Sequence, residues 1–133
     1  MAQRKHVQGL EKSPEGGDEI ALRHLRDQLR DFASARDWNQ FHSPKNIAVA
    51  LSVEAGELLE HFQWISDQDS ASLSPEKLGR VREEMADVLL YLVRLADLLE
   101  VELIRCANDK ITANAKKYPV EKSRGTAKKY TEL

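Results

Sequence analysis

Ser43-Pro44-Lys45-Asn46-Ile47-Ala48-Val49-Ala50-Leu51-Ser52-Val53-Glu54-Ala55-Gly56-Glu57-Leu58-Leu59-Glu60-His61-Phe62 holds both the rule of this fold and its exception. Serine before proline is an N-cap followed by the one helical position where a missing N–H does no harm, so the spacing predicts a helix from here to about Ile65. Ile47, Leu51, Glu54 and Leu58 recur at helical spacing, which puts Glu54 where a core leucine is expected. The block Glu84-Met85-Ala86-Asp87 repeats the conflict ahead of Val88, Tyr91 and Leu95. Residues three apart on a helix share a face, so Glu54 with Glu57, and Glu84 with Asp87, each aim two carboxylates in one direction. Ionised carboxylates taken out of water must be protonated, paired with bases or holding a cation. Two such pairs on successive, antiparallel helices can converge on one point, which favours the cation.

The rest of the chain fits a single all-α domain. A length of 133 residues allows one genuine core, 41% apolar and 32% charged residues describe a soluble globular chain, and 6 Gly with 4 Pro favour long helices over a turn-rich β fold. A formal net charge of −2 gives no global attraction to a nucleic-acid polymer, although Lys116, Lys117, Lys122, Arg124, Lys128 and Lys129 make the C-terminal stretch locally basic. Cys106 has no cysteine partner and the N-terminus lacks the apolar core of a signal peptide, so a reducing, cytoplasmic setting is expected. No run approaches the roughly 20 apolar residues of a membrane span.

Residues 1–17 lack periodicity and read as a flexible arm. Asp18 is the expected cap of a helix to about Arg36, buried through Ile20, Leu22, Leu25, Leu29 and Phe32. Arg36 to His42 form an aromatic, hydrogen-bonding connector, and residues 67–72 a polar loop. Ser74-Pro75 begins a third helix to about Leu99, and a fourth runs from about Val101 to Lys117, where Tyr118-Pro119 stops it. These spans predict an antiparallel four-helix bundle over 18–118 and a basic tail over 119–133 that orders on contact. Gly56, costly inside a helix, implies close approach by a neighbouring backbone or ligand.

Oxygen-only donors suit hard cations, Mg²⁺ first with Mn²⁺ possible, and Mg²⁺ commonly completes its shell with substrate phosphates. A di-iron bundle would want E-x-x-H, whereas three residues after Glu54, Glu57 and Glu84 stand Glu57, Glu60 and Asp87. Zinc is disfavoured because Cys106 and His6, His24, His42 and His61 form no ligand spacing. Like charges this close hinder one another's ionisation, so metal binding should strengthen with pH. Lys110, Asn114 and Lys117 share one face of the fourth helix and suit phosphate oxygens, though a solvated lysine face has the same spacing. Trp38, Trp64 and Tyr91 could form a platform for a nucleobase, or be plain core. His42 reads first as a loop hydrogen-bonder.

The blocks Glu54 to Trp64 and Glu83 to Leu92 closely resemble the MazG-like all-α nucleoside triphosphate pyrophosphatases, and among them the dCTP pyrophosphatase branch. Arg36 to His42, the K-x-x-x-N-x-x-K-Y-P pattern from Lys110 to Pro119, and the ending Lys129-Tyr130-Thr131-Glu132-Leu133 extend the likeness from about residue 20 to the C-terminus. The resemblance implies Mg²⁺-dependent hydrolysis of a nucleoside triphosphate to monophosphate and pyrophosphate, in a homotetramer built as a dimer of dimers with sites at subunit contacts. It implies Glu54, Glu57, Glu84 and Asp87 as metal ligands, Lys110 and Asn114 on the substrate, and Trp38, Trp64 and Tyr91 around the base. One position departs: some dCTP-preferring members carry a histidine nine residues before the tryptophan, where this chain has Leu29. The competing non-enzymatic reading is a helical interaction module whose internal carboxylates pair with Arg or Lys across a subunit interface.

Overall fold

The computed structural model describes residues 16–133, so the arm expected over 1–17 lies almost wholly outside the described residues. Those described form α1 (Gly17–Ala35), α2 (Pro44–Glu60), α3 (Asp67–Ser70), α4 (Pro75–Leu98), α5 (Leu103–Lys117) and α6 (Val120–Ser123), with 3-10 turns at Asn39–Phe41 and Tyr130–Glu132. Among the described residues there is no strand, and the all-α class stands.

The cap-then-proline devices start α2 and α4 as expected. Ser43 Oγ accepts from the Asn46 N–H at 3.1 Å, and Ser74 Oγ from the Lys77 N–H at 3.2 Å. α1 differs: it begins at Gly17 behind Gly16 in the left-handed region at φ 109°, and Asp18 lies inside the first turn with Glu19, where the helix dipole favours acid. α2 ends at Glu60 rather than Ile65, because the chain turns through Phe62 N–H to Leu59 O at 2.9 Å and Ile65 N–H to Phe62 O at 3.2 Å. Where composition reads as loop, Ser66 Oγ caps the single turn of α3 through the Asp69 N–H.

Two helices end in the same paired bond. Asp37, left-handed at φ 54°, lets its own N–H reach Ser34 O and the Trp38 N–H reach Ala33 O at 2.9 Å. Glu100 at φ 55° does likewise after α4, with the Val101 N–H on Ala96 O at 2.8 Å. The first of these fixes where Trp38 leaves the helix.

α4 is the spine. His42 meets Arg94, Glu54 gathers with Glu84 and Asp87, and His61 approaches Glu84, so α2 runs antiparallel to α4. α1 is also antiparallel, with Arg30 on Asp97 and Phe32 beside Asp87 and Tyr91, but it lies along the C-terminal half. Among the described residues the buried apolar side chains are Ala33, Ile47, Val81, Val93 and Ala96. α5 buries none, and its Ile111 is 67% exposed. Val49 and Val53 on α2, with Met85, Leu89 and Leu92 on α4, are also largely exposed. After Pro119 the Tyr130 ring meets Tyr118 edge-on at 6.0 Å, with Lys117 Nζ 5.0 Å from the Tyr130 centroid. No helix among the described residues is long and apolar enough to cross a membrane.

Candidate functional site

Glu54 on α2 and Glu84 and Asp87 on α4 each bring a carboxylate oxygen within 4.8 Å of the other two. Glu57, a turn beyond Glu54, is exposed and stands outside that group of three, but its carboxyl is close enough to raise the proton affinity of Glu54. Burial first, then the neighbouring Glu57 carboxyl, then the charges of Asp87 and Glu84, push the Glu54 carboxyl up to about 7. Its Oε2 is buried with no hydrogen-bond partner among the described residues. The His61 ring comes nearest, with Nε2 3.8 Å from Glu84 Oε1, too long for a hydrogen bond. No Lys or Arg pairs with these four carboxylates among the described residues. A partnerless buried oxygen among hard carboxylate donors from two helices is what a divalent oxygen-seeking ion satisfies. The residues fit such an ion.

Asp87 belongs to two structures at once. Besides the carboxylate group, it lines a cavity of about 480 Å³ with Trp38, His42 and Tyr91, and with Leu25, Leu29 and Phe32 of α1. Leu90 and Arg94 of α4 complete much of the wall. The Trp38 ring is steadied edge-on by Phe32 at 5.6 Å and faces His42 at 6.3 Å. The volume lies in the range of small-molecule sites.

Three of the expected substrate contacts, Trp38, His42 and Tyr91, are therefore brought together. Trp64 is not: it falls after the end of α2 and is 87% exposed. Lys110, Asn114 and Lys117 are exposed on α5 and do not line the cavity. A Cβ at Gly56 would meet nothing within 4 Å, so any close approach there is not made by this chain's own described residues. Leu25 and Leu29, read as core, turn out to be cavity wall. Arg94 was missed entirely, although it is 7% exposed on the apolar side of α4, one turn past Tyr91. The clue that found Glu54, a charge on a stripe that should exclude it, also marks Arg94.

Residues 49–133 match the MazG-like family. Rat dCTP pyrophosphatase 1 is 44% identical over 117 residues, covering 86% of this chain and 69% of that protein. Human dCTP pyrophosphatase 1 is 41% identical over the same shares. The crystal structure of a pyrophosphatase from Archaeoglobus fulgidus superposes with a TM-score of 0.68 at 38% identity, over 84% of this chain and 99% of that one. An all-α chain whose identity to these pyrophosphatases runs through both carboxylate-bearing helices belongs to the MazG-like family.

Proposed function

We propose that this chain is a Mg²⁺-dependent nucleoside triphosphate pyrophosphatase that converts dCTP, or a modified dCTP, to the monophosphate and pyrophosphate. The observation that carries the reading is Asp87, which ties the cluster with Glu54 and Glu84 to a cavity walled by aromatic rings. A nucleotide needs both halves, an anion-binding end and an apolar, ring-lined end.

Glu54, Glu57, Glu84 and Asp87 would hold the ion, which when bound supplies positive charge against the phosphate oxygens. Trp38 and Tyr91 enclose the base and orient the triphosphate so that its α-phosphorus lies by the carboxylates. Water attacks that phosphorus in line, the bond to the α,β-bridging oxygen breaks, and pyrophosphate leaves. Lys110, Asn114 and Lys117 donate to phosphate oxygens. Their exposed positions on α5 suit action across a subunit contact.

That placement joins the function to assembly. The stripe of Val49, Val53 and Gly56 on α2 and that of Met85, Leu89 and Leu92 on α4 face outward, and α5 has no core of its own. A homotetramer, arranged as a dimer of dimers in the cytoplasm, would cover them and complete a four-helix bundle around each site. The interaction-module reading needs Arg or Lys from a neighbouring subunit on these carboxylates, and the aromatic-walled cavity that Asp87 shares favours the nucleotide instead.

The test is pyrophosphate release from dCTP, 5-methyl-dCTP, dUTP and dATP with Mg²⁺, repeated in chelator. Turnover that needs the ion and favours the cytosine nucleotides is expected. No turnover of any triphosphate with any divalent ion would overturn the reading.

A further inference from the structure

Arg94 is a buried guanidinium, and a charge so placed survives only with partners on every side. Its Nε donates to His42 Nδ1 at 3.1 Å, its Nη2 to Asn39 Oδ1 at 2.8 Å, and its Nη1 to Asp97 Oδ2 at 3.3 Å. Asn39 is pinned in turn, its amide donating to Ser34 Oγ at 3.1 Å. Asp97 is gripped from α1 by both Nε and Nη2 of Arg30, and that hydrogen-bonded pair holds its carboxyl below the usual carboxylate range. Three elements, α1, the connector and α4, are thus locked through one side chain.

The bond to His42 has a chemical consequence. A guanidinium has N–H groups and no lone pair to offer, so His42 Nδ1 must be the acceptor. The proton of the neutral ring then sits on Nε2, because the bond at one imidazole nitrogen decides the state of the other. Burial, and after it the Arg94 charge, push His42 below its ordinary proton affinity, which keeps the ring neutral. His42 lines the cavity, and Leu29 makes the α1 wall apolar where the resemblance expects a histidine in some relatives.

We propose that Arg94 is a positioning residue for base recognition: by donating to His42 Nδ1 it fixes His42 as a neutral Nε2–H donor, which reads a nucleobase edge carrying a carbonyl or ring-nitrogen acceptor. The proposal rests on the cavity being the base site of a nucleotide pyrophosphatase. Through Asn39 the same guanidinium sets the connector that carries Trp38, so the donor and the stacking ring are placed together.

Two measurements test it on the full-length protein. The first needs no turnover: ¹⁵N-resolved imidazole spectra of the metal-free protein at pH 7, with His42→Gln identifying the resonance. A pure Nε2–H pattern in the wild type, and a mixture of tautomers in Arg94→Gln, are expected. A charged or Nδ1–H ring in the wild type overturns the proposal, whatever the activity. The second compares dCTP with abasic deoxyribose 5′-triphosphate under Mg²⁺. Arg94→Gln should lower kcat/KM for dCTP about tenfold or more, chiefly through KM, and leave the abasic substrate unchanged. Arg94→Lys keeps the charge beside Asp97 but loses the fork to His42 and Asn39, so it should fold and show the same base-dependent loss. Equal losses on both substrates would mean a merely structural role and sink the proposal. A wild type inert to all triphosphates, with the Nε2–H pattern intact, would instead sink the pyrophosphatase reading and base recognition with it, leaving only the tautomer.

Discussion

Glu54→Gln should make the metal-free protein more stable and the enzyme inert. In the folded chain the Glu54 carboxyl is pushed from an ordinary 4.5 to about 7, with burial the leading cause. A carboxyl raised on folding binds its proton more tightly in the native state, so stability is full below pH 4.5 and falls as pH rises through the folded value. At about 1.4 kcal/mol for each tenfold step in proton affinity, the ceiling on that loss is about 3 kcal/mol. Glu57 and Asp87 are exposed, and water screens their share, which brings the figure to about 1–2 kcal/mol. Glutamine has the shape of the protonated acid and cannot ionise.

Urea denaturation in EDTA therefore gives a sharp expectation. Wild type and Glu54→Gln should match near pH 4.5, and at pH 8 the variant should lead by about 1–2 kcal/mol, a midpoint shift of about 0.5–1 M. Adding Mg²⁺ should reverse the order, since an ion at a hundredfold its Kd adds about 2.7 kcal/mol to the protein that binds it and nothing to the one that does not. A variant less stable than wild type in EDTA at pH 8, or an offset of equal size at both pH values, would refute the electrostatic account and make Glu54 a packing residue.

Glu57→Gln should keep the fold, lower the Glu54 proton affinity by removing its neighbour's charge, and cut kcat/KM at least about a hundredfold through lost metal affinity, read by pyrophosphate release across a Mg²⁺ titration. Glu100→Gly should raise stability by about 1 kcal/mol with activity unchanged, because φ of 55° strains any residue with a Cβ and this side chain makes no hydrogen bond among the described residues; urea midpoints check it. Leu89→Asp should leave the helical circular dichroism intact while sedimentation shows a smaller assembly and the specific activity falls, since the substitution charges an outward apolar stripe without touching the chain's own core.

Much of the fold was legible because its signals are local. Ser43-Pro44 and Ser74-Pro75 announce two helix starts through chemistry confined to four residues each, and both hold in the structure. Ends were less legible. Nothing in the apolar pattern distinguishes Glu60 from Ile65 as the close of α2, because Phe62 and Ile65 continue the stripe through a turn that is no longer α-helical. Trp64 changes role with that boundary, from a wall of the site to a ring in solvent. Asp37 and Glu100 could not be foreseen either. Both take a conformation that glycine would advertise, held by backbone bonds that any side chain permits.

The site shows what periodicity does and does not contain. A helical repeat states which side chains share a direction, and a charge breaking the repeat states that something meets it. Glu54 and Arg94 are such charges, yet their answers are opposite. Each nitrogen of Arg94 donates within the chain, to His42, Asn39 and Asp97, so its puzzle is solved there. Glu54 keeps an oxygen with no hydrogen-bond partner among the described residues and groups of its own sign around it, so it is the charge that calls for a cation. The distinction needs the third dimension, because Asn39 and His42 lie about 50 residues from Arg94 along the chain. The same argument extends to α5 and the outward stripes of α2 and α4. Their apolar residues state a direction, and nothing among the described residues stands there to receive them. A cluster that wants a cation and faces that want a neighbour are one kind of incompleteness, and a magnesium-loaded oligomer would resolve both.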